Sequence, residues 1–176
     1  MNRWSLAAMN RLYSFWTKAG ERHVPLWNAM FPFAAIPAYF YLYGRRGFLE
    51  HQVVIPENAI ETYITRFRDL ARRHGVPFGL AAMKLFRGPQ RLLTFSGDGI
   101  SLAIETPHSP DARALFANLD ILDVELGCRA NLLKDARLSP ATVARQYPEF
   151  DVFRDRLMAF DPSRHFRSML SVRLGL

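Results

Sequence analysis

The stretch FLEHQVVIPENAIETYITRFRDLARRHGVPFGLAAMKLF, residues 48 to 86, changes its hydrophobic period twice, and those changes decide the fold. FLEHQVVIP at 48 to 56 is rich in β-branched residues and is ended by Pro56, which predicts a strand. From Glu57 to His74, Ile60, Tyr63, Ile64, Phe67, Leu70 and Ala71 recur at helical spacing. Pro56 and Glu57 suit the start of that helix and Gly75 its end. FGLAAMKLF at 78 to 86 then returns to a strand pattern.

Toward the C-terminus, RLLTFS at 91 to 96 and ISLAIET at 100 to 106 flank the Gly97 to Gly99 turn and predict a hairpin. Ser109 and Pro110 open a second helix whose apolar face is Ala112, Leu115, Phe116, Leu119, Leu122 and Leu126, closed by Gly127. Arg129 to Leu133 supplies a last strand. Apart from the extra strand of the hairpin, the order is β-α-β-β-α-β, which predicts an α+β fold, a ferredoxin-like antiparallel sheet with two helices on one face. Ser139-Pro140 and Asp161-Pro162 each place a capping side chain before a helix-compatible proline, so short helices are expected over the last 40 or so residues.

Toward the N-terminus, PLWNAMFPFAAIPAYFYLYG at 25 to 44 carries no charge and nearly reaches bilayer-spanning length. Pro32 and Pro37 each remove a backbone donor and oppose helix at the residue before. The segment therefore reads as broken apolar structure against a protein core, with membrane-surface contact as the other option. Residues 1 to 20 mix Arg3, Asn10, Arg11 and Lys18 among apolar positions, unlike a signal peptide. A cytoplasmic location, or one peripheral to the inner membrane, is expected.

With 176 residues, 49% of them hydrophobic, the chain suffices for one well-buried core plus an appendage. A net charge of +7 admits nucleic acid, an anionic membrane or a phosphorylated substrate as partner. Cys128 is the only cysteine, so no disulfide forms within the chain, and no Cys/His cluster proposes a metal site.

Four stretches in series carry a resemblance: GFLEHQVVIP at 47 to 56, MKLFRG at 83 to 88, LLKDARLSPAT at 132 to 142, and DPSRHFRSMLSVRLGL at 161 to 176. Together they resemble the C-terminal part of the decaprenylphosphoryl-ribose oxidase-like FAD-linked oxidases, within the vanillyl-alcohol-oxidase-like flavoproteins. In that family an N-terminal domain holds FAD, and an α+β cap covers the flavin ring and forms the substrate site. The resemblance implies that residues 46–176 are such a cap, that residues 1–45 are a helical and apolar appendage, and that the FAD-binding domain is absent. That domain is expected in another chain or lost by truncation, leaving the isolated chain inactive. The substrate implied is a sugar or polyol alcohol, oxidised by hydride transfer to flavin.

By the same resemblance, Lys134 matches the family's lysine beside flavin and substrate, where a fixed cation stabilises the charge the flavin gains. From the residues alone, a solvent-facing lysine after a strand is equally ordinary. Lys84 and Phe86 fall in the implied substrate pocket, Lys84 to meet a hydroxyl or phosphate and Phe86 to pack on sugar or lipid. A lysine protecting a sheet edge is the plainer reading of Lys84. Gln52 matches a pocket glutamine, and Glu50 stands where the family member compared has another. Both share one strand face and jointly suit a polyol. Ser101 and Ala103 replace asparagine and cysteine, which implies a smaller pocket without a thiol.

His51 points away from Gln52 and reads as a sheet or surface histidine; Arg137, Arg164 and Arg173 are assigned structural roles first. If an FAD domain pairs with the chain, the partner-facing sheet surface should be apolar and aromatic, with Lys84 and Lys134 opening onto one cavity. A non-catalytic ferredoxin-like module binding nucleic acid or a membrane surface is the competing reading. The aromatic-rich RNA-binding motif is missing from MKLFRG and RLLTFS, so nucleic acid is not expected.

Overall fold

The structure, a computed structural model, describes residues 3–16, 21, 23–30, 41 and 43–176. Pro32 and Pro37, on which the reading of the apolar N-terminal segment turned, lie outside the described residues. Among the described residues the chain begins with α1 (Arg3–Trp16) and α2 (Leu26–Met30). No helix among the described residues is long and apolar enough to cross a membrane.

From residue 48 the chain runs β1 (Phe48–Ile55), α3 (Ile60–His74), β2 (Leu80–Phe86), β3 (Gly99–Pro107), α4 (Pro110–Glu125) and β4 (Arg129–Ala130). This is the expected order in an α+β fold. One sheet forms, in the order β2-β3-β1-β4, with every pairing antiparallel. Gly75 ends α3 in the left-handed conformation, and the Ser109 side chain caps α4 by accepting from the Ala112 amide.

β1 is central, and its alternation builds the core. His51, Val53 and Ile55 point to the helices with Leu102 and Ile104 of β3, and all five are buried. Tyr63 of α3 and Leu115, Phe116, Leu119 and Leu122 of α4 meet them from above. Both helices address the same face, because His51 contacts Tyr63 of one and lies beside Asp120 and Asp123 of the other.

Three helices close the chain: α5 (Pro140–Gln146), α6 (Phe150–Phe160) and α7 (Met169–Leu174). Val143, Tyr147, Phe150, Leu174 and Leu176 join the same core. On the outer side of β4, Ala130 donates its N–H to Gln146 Oε1 (3.0 Å) and its carbonyl accepts from the Tyr147 hydroxyl (2.6 Å). Side chains thus occupy backbone groups that another strand would otherwise pair.

Three local expectations are corrected. RLLTFS is not a strand: residues 87–98 form a loop between β2 and β3. Its backbone is bonded by its own side chains, Thr94 Oγ1 to the Arg91 carbonyl (2.7 Å), Ser96 Oγ to the Pro89 carbonyl (3.0 Å), and the Gly88 N–H to Asp98 Oδ1 (2.9 Å). Such local bonds compete with a ladder and win here. The last strand stops at Ala130 rather than Leu133, because Asn131 to Lys134 closes a turn, Lys134 N donating to the Asn131 carbonyl at 2.9 Å. Asp161-Pro162 starts no helix. The Asp161 carboxylate accepts from the His165 and Phe166 amides (2.9 and 2.8 Å) in a turn with Arg164 at φ 54°, and Ser168 caps α7 instead.

Gly99 opens β3 at φ 149°, and a Cβ there would collide with the Ile55 carbonyl oxygen and the Pro56 backbone. Gly99→Ala should therefore cost roughly 2–4 kcal/mol in a urea titration, since both the conformation and the close approach resist a side chain. The two amides hold the Asp161 carboxyl below its ordinary value of 3.8. A lowered folded-state value means stability that is present above the unfolded value and lost as pH falls through the folded one. Asp161→Asn should accordingly lower Tm at neutral pH, and the gap to wild type should close as pH drops below 3.8.

Candidate functional site

The face of the sheet turned away from the helices is set by β1 residues 48, 50, 52 and 54. Register carries it across the sheet: Glu50 opposes Glu105, Gln52 opposes Ala103, and Val54 opposes Ser101. On β2, Ala82 opposes Ala103, Lys84 opposes Ser101, and Phe86 opposes Gly99. Gln52, Glu50, Lys84, Phe86, Ser101 and Ala103 therefore all share one face.

Lys134 reaches that face from the turn after β4. Its Nζ donates to Glu50 Oε1 at 2.6 Å, with the lysine side chain 45% exposed and the glutamate 15%. Gln52 is held at both ends: Asn131 Nδ2 donates to its Oε1 (2.8 Å), and its Nε2 donates to Ser101 Oγ (3.3 Å). The Tyr43 hydroxyl donates to Glu105 Oε2 at 3.1 Å, and its ring packs on Phe48 with centroids 4.8 Å apart. At the outer edge Phe86 meets Phe95 edge to face at 5.5 Å.

This geometry bears directly on the comparisons. Over 135 residues the chain is 31% identical to decaprenylphosphoryl-beta-D-ribose oxidase of Mycolicibacterium smegmatis, a match covering 76% of this chain and 29% of that protein. The chain is related to the C-terminal part of that FAD-linked oxidase. An uncharacterized protein from the mprA 5' region of Streptomyces coelicolor is 41% identical over 87 residues, 48% of this chain and 23% of that one. No family model matches the chain. The chain thus spans less than a third of the length of either of these relatives.

In this chain the sequence-derived residues divide into groups. Lys134 pairs with Glu50, and Gln52 with Ser101, whereas Lys84 and Phe86 stand on the edge strand two positions from β1. At the usual strand spacing that is about 10 Å across the sheet. Lys84 and Lys134 were expected to open onto one cavity. The cavity found here, about 390 Å³, is lined instead by Leu92, Leu93, Leu133, Phe153, Leu157 and Leu170 among others, and neither lysine lines it. The sheet face also departs from the apolar surface expected, because Glu50, Gln52, Glu105 and Lys84 sit on it and most are tied to one another or to Asn131, Lys134 and Tyr43.

Beneath β1 lies a second polar cluster that the sequence reading left out. Arg137 donates to Asp120 twice, Nε to Oδ2 (2.9 Å) and Nη2 to Oδ1 (2.6 Å), and its Nη2 also lies 2.9 Å from His51 Nδ1. The guanidinium sits 5.0 Å over the Phe116 ring. His51 Nε2 approaches the Tyr63 hydroxyl (3.2 Å) and Asp123 Oδ2 (3.4 Å), the latter carboxylate being fully buried without a well-formed hydrogen bond. Burial pushes the Asp120 carboxyl up and the Arg137 hydrogen bonds pull it back, leaving it raised. Burial, then the Asp123 charge, raises the Tyr63 phenol well above its ordinary 10.0, so it stays protonated.

His51, Asp120 and Asp123 bring ligand-type atoms within 4.8 Å of one another, but the guanidinium of Arg137 already supplies a cation there. His51 is a buried sheet histidine and not a surface one. One signal for the cluster was legible: Asp123 falls in the helical stripe of Ala112, Phe116 and Leu119, where an acid is out of place. The Asn131 contact with Gln52 had no such signal, being a pairing across 79 positions.

Because Lys134 is half exposed, its bond to Glu50 is a surface ion pair of small worth. Glu50→Gln should shift stability by less than about 1 kcal/mol in a urea titration.

Proposed function

We propose that this chain is the substrate-binding cap portion of an FAD-dependent oxidoreductase that acts on a sugar or polyol alcohol, and that it works when paired with an FAD-binding domain. The observation that carries the reading is the convergence of Lys134, Glu50, Gln52 and Ser101 on one sheet face, opposite the face packed by α3 and α4. The relationship to decaprenylphosphoryl-beta-D-ribose oxidase supports the flavin part of it. The sugar or polyol, and the cap role, are our inference from the chemistry of the face.

On this reading the flavin supplies the hydride acceptor. Lys134 suits a place beside it, since an ammonium has three donors and Glu50 takes one. A fixed cation aimed where negative charge develops lowers the barrier without reorganisation. Glu50 both holds that cation and accepts from a hydroxyl. Gln52, already fixed by Asn131 and Ser101, presents an oriented amide to the next hydroxyl along a polyol. Ala103 opposite leaves room for the substrate, and Lys84 and Phe86 at the edge receive a phosphate and an apolar group respectively.

The apolar groove supports a lipid-linked substrate. Leu132 and Leu133, which line it, belong to the same Asn131 to Lys134 turn whose polar members address the sheet face. A ligand with a polar head and an apolar tail would meet both. Exposed Leu26 and Trp27, with Arg45 and Arg46 exposed nearby in sequence, favour peripheral attachment to an anionic membrane, which is compatible with such a substrate.

The reading is tested by recording the flavin absorbance spectrum of the chain purified alone and after co-expression with an FAD-binding domain. A yellow complex only on co-expression is expected; no bound flavin in either sample overturns it. In the complex, Lys134→Ala should slow flavin reduction by roughly 10²–10³-fold while leaving Tm nearly unchanged, and equal losses of rate and stability would count against the assigned role.

A further inference from the structure

Lys134 is an exposed lysine on a turn, and its pair with Glu50 is the kind that salt and side-chain entropy weaken. A lysine that must keep one position needs a fixed backbone, and the residues after it provide one. Asp135 Oδ1 accepts from the Arg137 amide (3.0 Å), and both its oxygens accept from the Leu138 amide (3.2 Å). Arg173, from α7, pairs with Asp135 at 2.9 Å and donates to the carbonyls of Asp135 and Leu138.

The second tie is Arg137. Its fork closes on Asp120 of α4, and the same guanidinium reaches His51 Nδ1. His51 stands on β1 between Glu50 and Gln52, facing the opposite side of the sheet. One strand therefore addresses Lys134 twice: Glu50 receives its ammonium on the open face, and His51 holds the arginine three residues further on from the helix face. Both ties share the frame of β1, so a shift of the turn along the strand breaks one or the other.

We propose that Arg137 is a positioning residue for Lys134, acting through Asp120 and His51, with Arg173 and Asp135 securing the turn between them. The assignment deepens the reading of Lys134 as the cation beside the flavin and rests on it for its purpose, though the positioning itself is a property of this chain alone. A planar fork makes two parallel bonds to Asp120 and a third contact to His51, which an ammonium cannot reproduce. Arg137→Lys thus keeps the charge and removes the geometry.

The test reads Lys134 without flavin. The lysines of the chain are Lys18, Lys84 and Lys134, so limiting acylation by N-hydroxysuccinimidyl acetate followed by mass spectrometry resolves each rate. In Arg137→Lys, the rate at Lys134 relative to Lys84 should rise roughly fivefold, as expected for the loss of an exposed ion pair that the backbone no longer aligns. Arg173→Lys should raise it by a smaller factor. An unchanged ratio in a folded variant overturns the proposal, and so does an equal rise at Lys84, which would report general loosening. Should Arg137→Lys fail to fold, Asp120→Asn, which retains the guanidinium and weakens its anchor, is read in the same way. A raised ratio in a chain that never gains flavin on co-expression would sustain the positioning role while removing the flavin reading, so the two fail separately.

Discussion

β1 is the constraint on which the rest depends. It pairs with β3 on one side and β4 on the other, and its alternation sends His51, Val53 and Ile55 into the helix-covered core and Glu50 and Gln52 onto the open face. Because the side-chain period of a strand is two, a slip of one residue would place Glu50 and Gln52 in the core and His51 in solvent. Register and site are therefore the same fact. The apolar demand of the core, with Tyr63, Phe116 and Leu119 packed on that face, fixes which residues are left for the opposite face.

The polar cluster beneath β1 complicates a simple hydrophobic account. Breaking a buried ion pair by removing one partner costs several kcal/mol, whereas replacing the whole cluster by apolar groups often costs little. A cluster such as Arg137, Asp120 and His51 is thus poorly explained by stability. It does fix one loop in one place, and that loop carries Lys134. Specificity of position fits these contacts better than strength.

The sheet face opposite α3 and α4 is notably polar. Its polar groups are mostly engaged with one another, Gln52 between Asn131 and Ser101 and Glu50 with Lys134, so they are oriented before any ligand arrives. Preorganised donors and acceptors lower the cost of binding. The relationship to the C-terminal part of an FAD-linked oxidase gives this arrangement a chemical setting.

Much of this was legible in the chain itself. Periodicity set the β-α-β-β-α-β order, and the alternation in FLEHQVVI placed Glu50 and Gln52 together and His51 opposite, because a strand's faces follow from sequence position alone. The helix at 110–125 followed from its Ser109 cap and apolar stripe. Local pattern failed in RLLTFS, where side-chain bonds to nearby carbonyls displaced a strand, and at Asp161, whose carboxylate capped a turn in place of a helix. Only the tertiary structure brought Lys134 to Glu50 across 84 positions, Asn131 to Gln52 across 79 and Arg137 to His51 across 86. Those meetings depend on where β4 lies beside β1 and how α4 crosses it, and no local periodicity encodes the relative placement of elements so far apart in the chain.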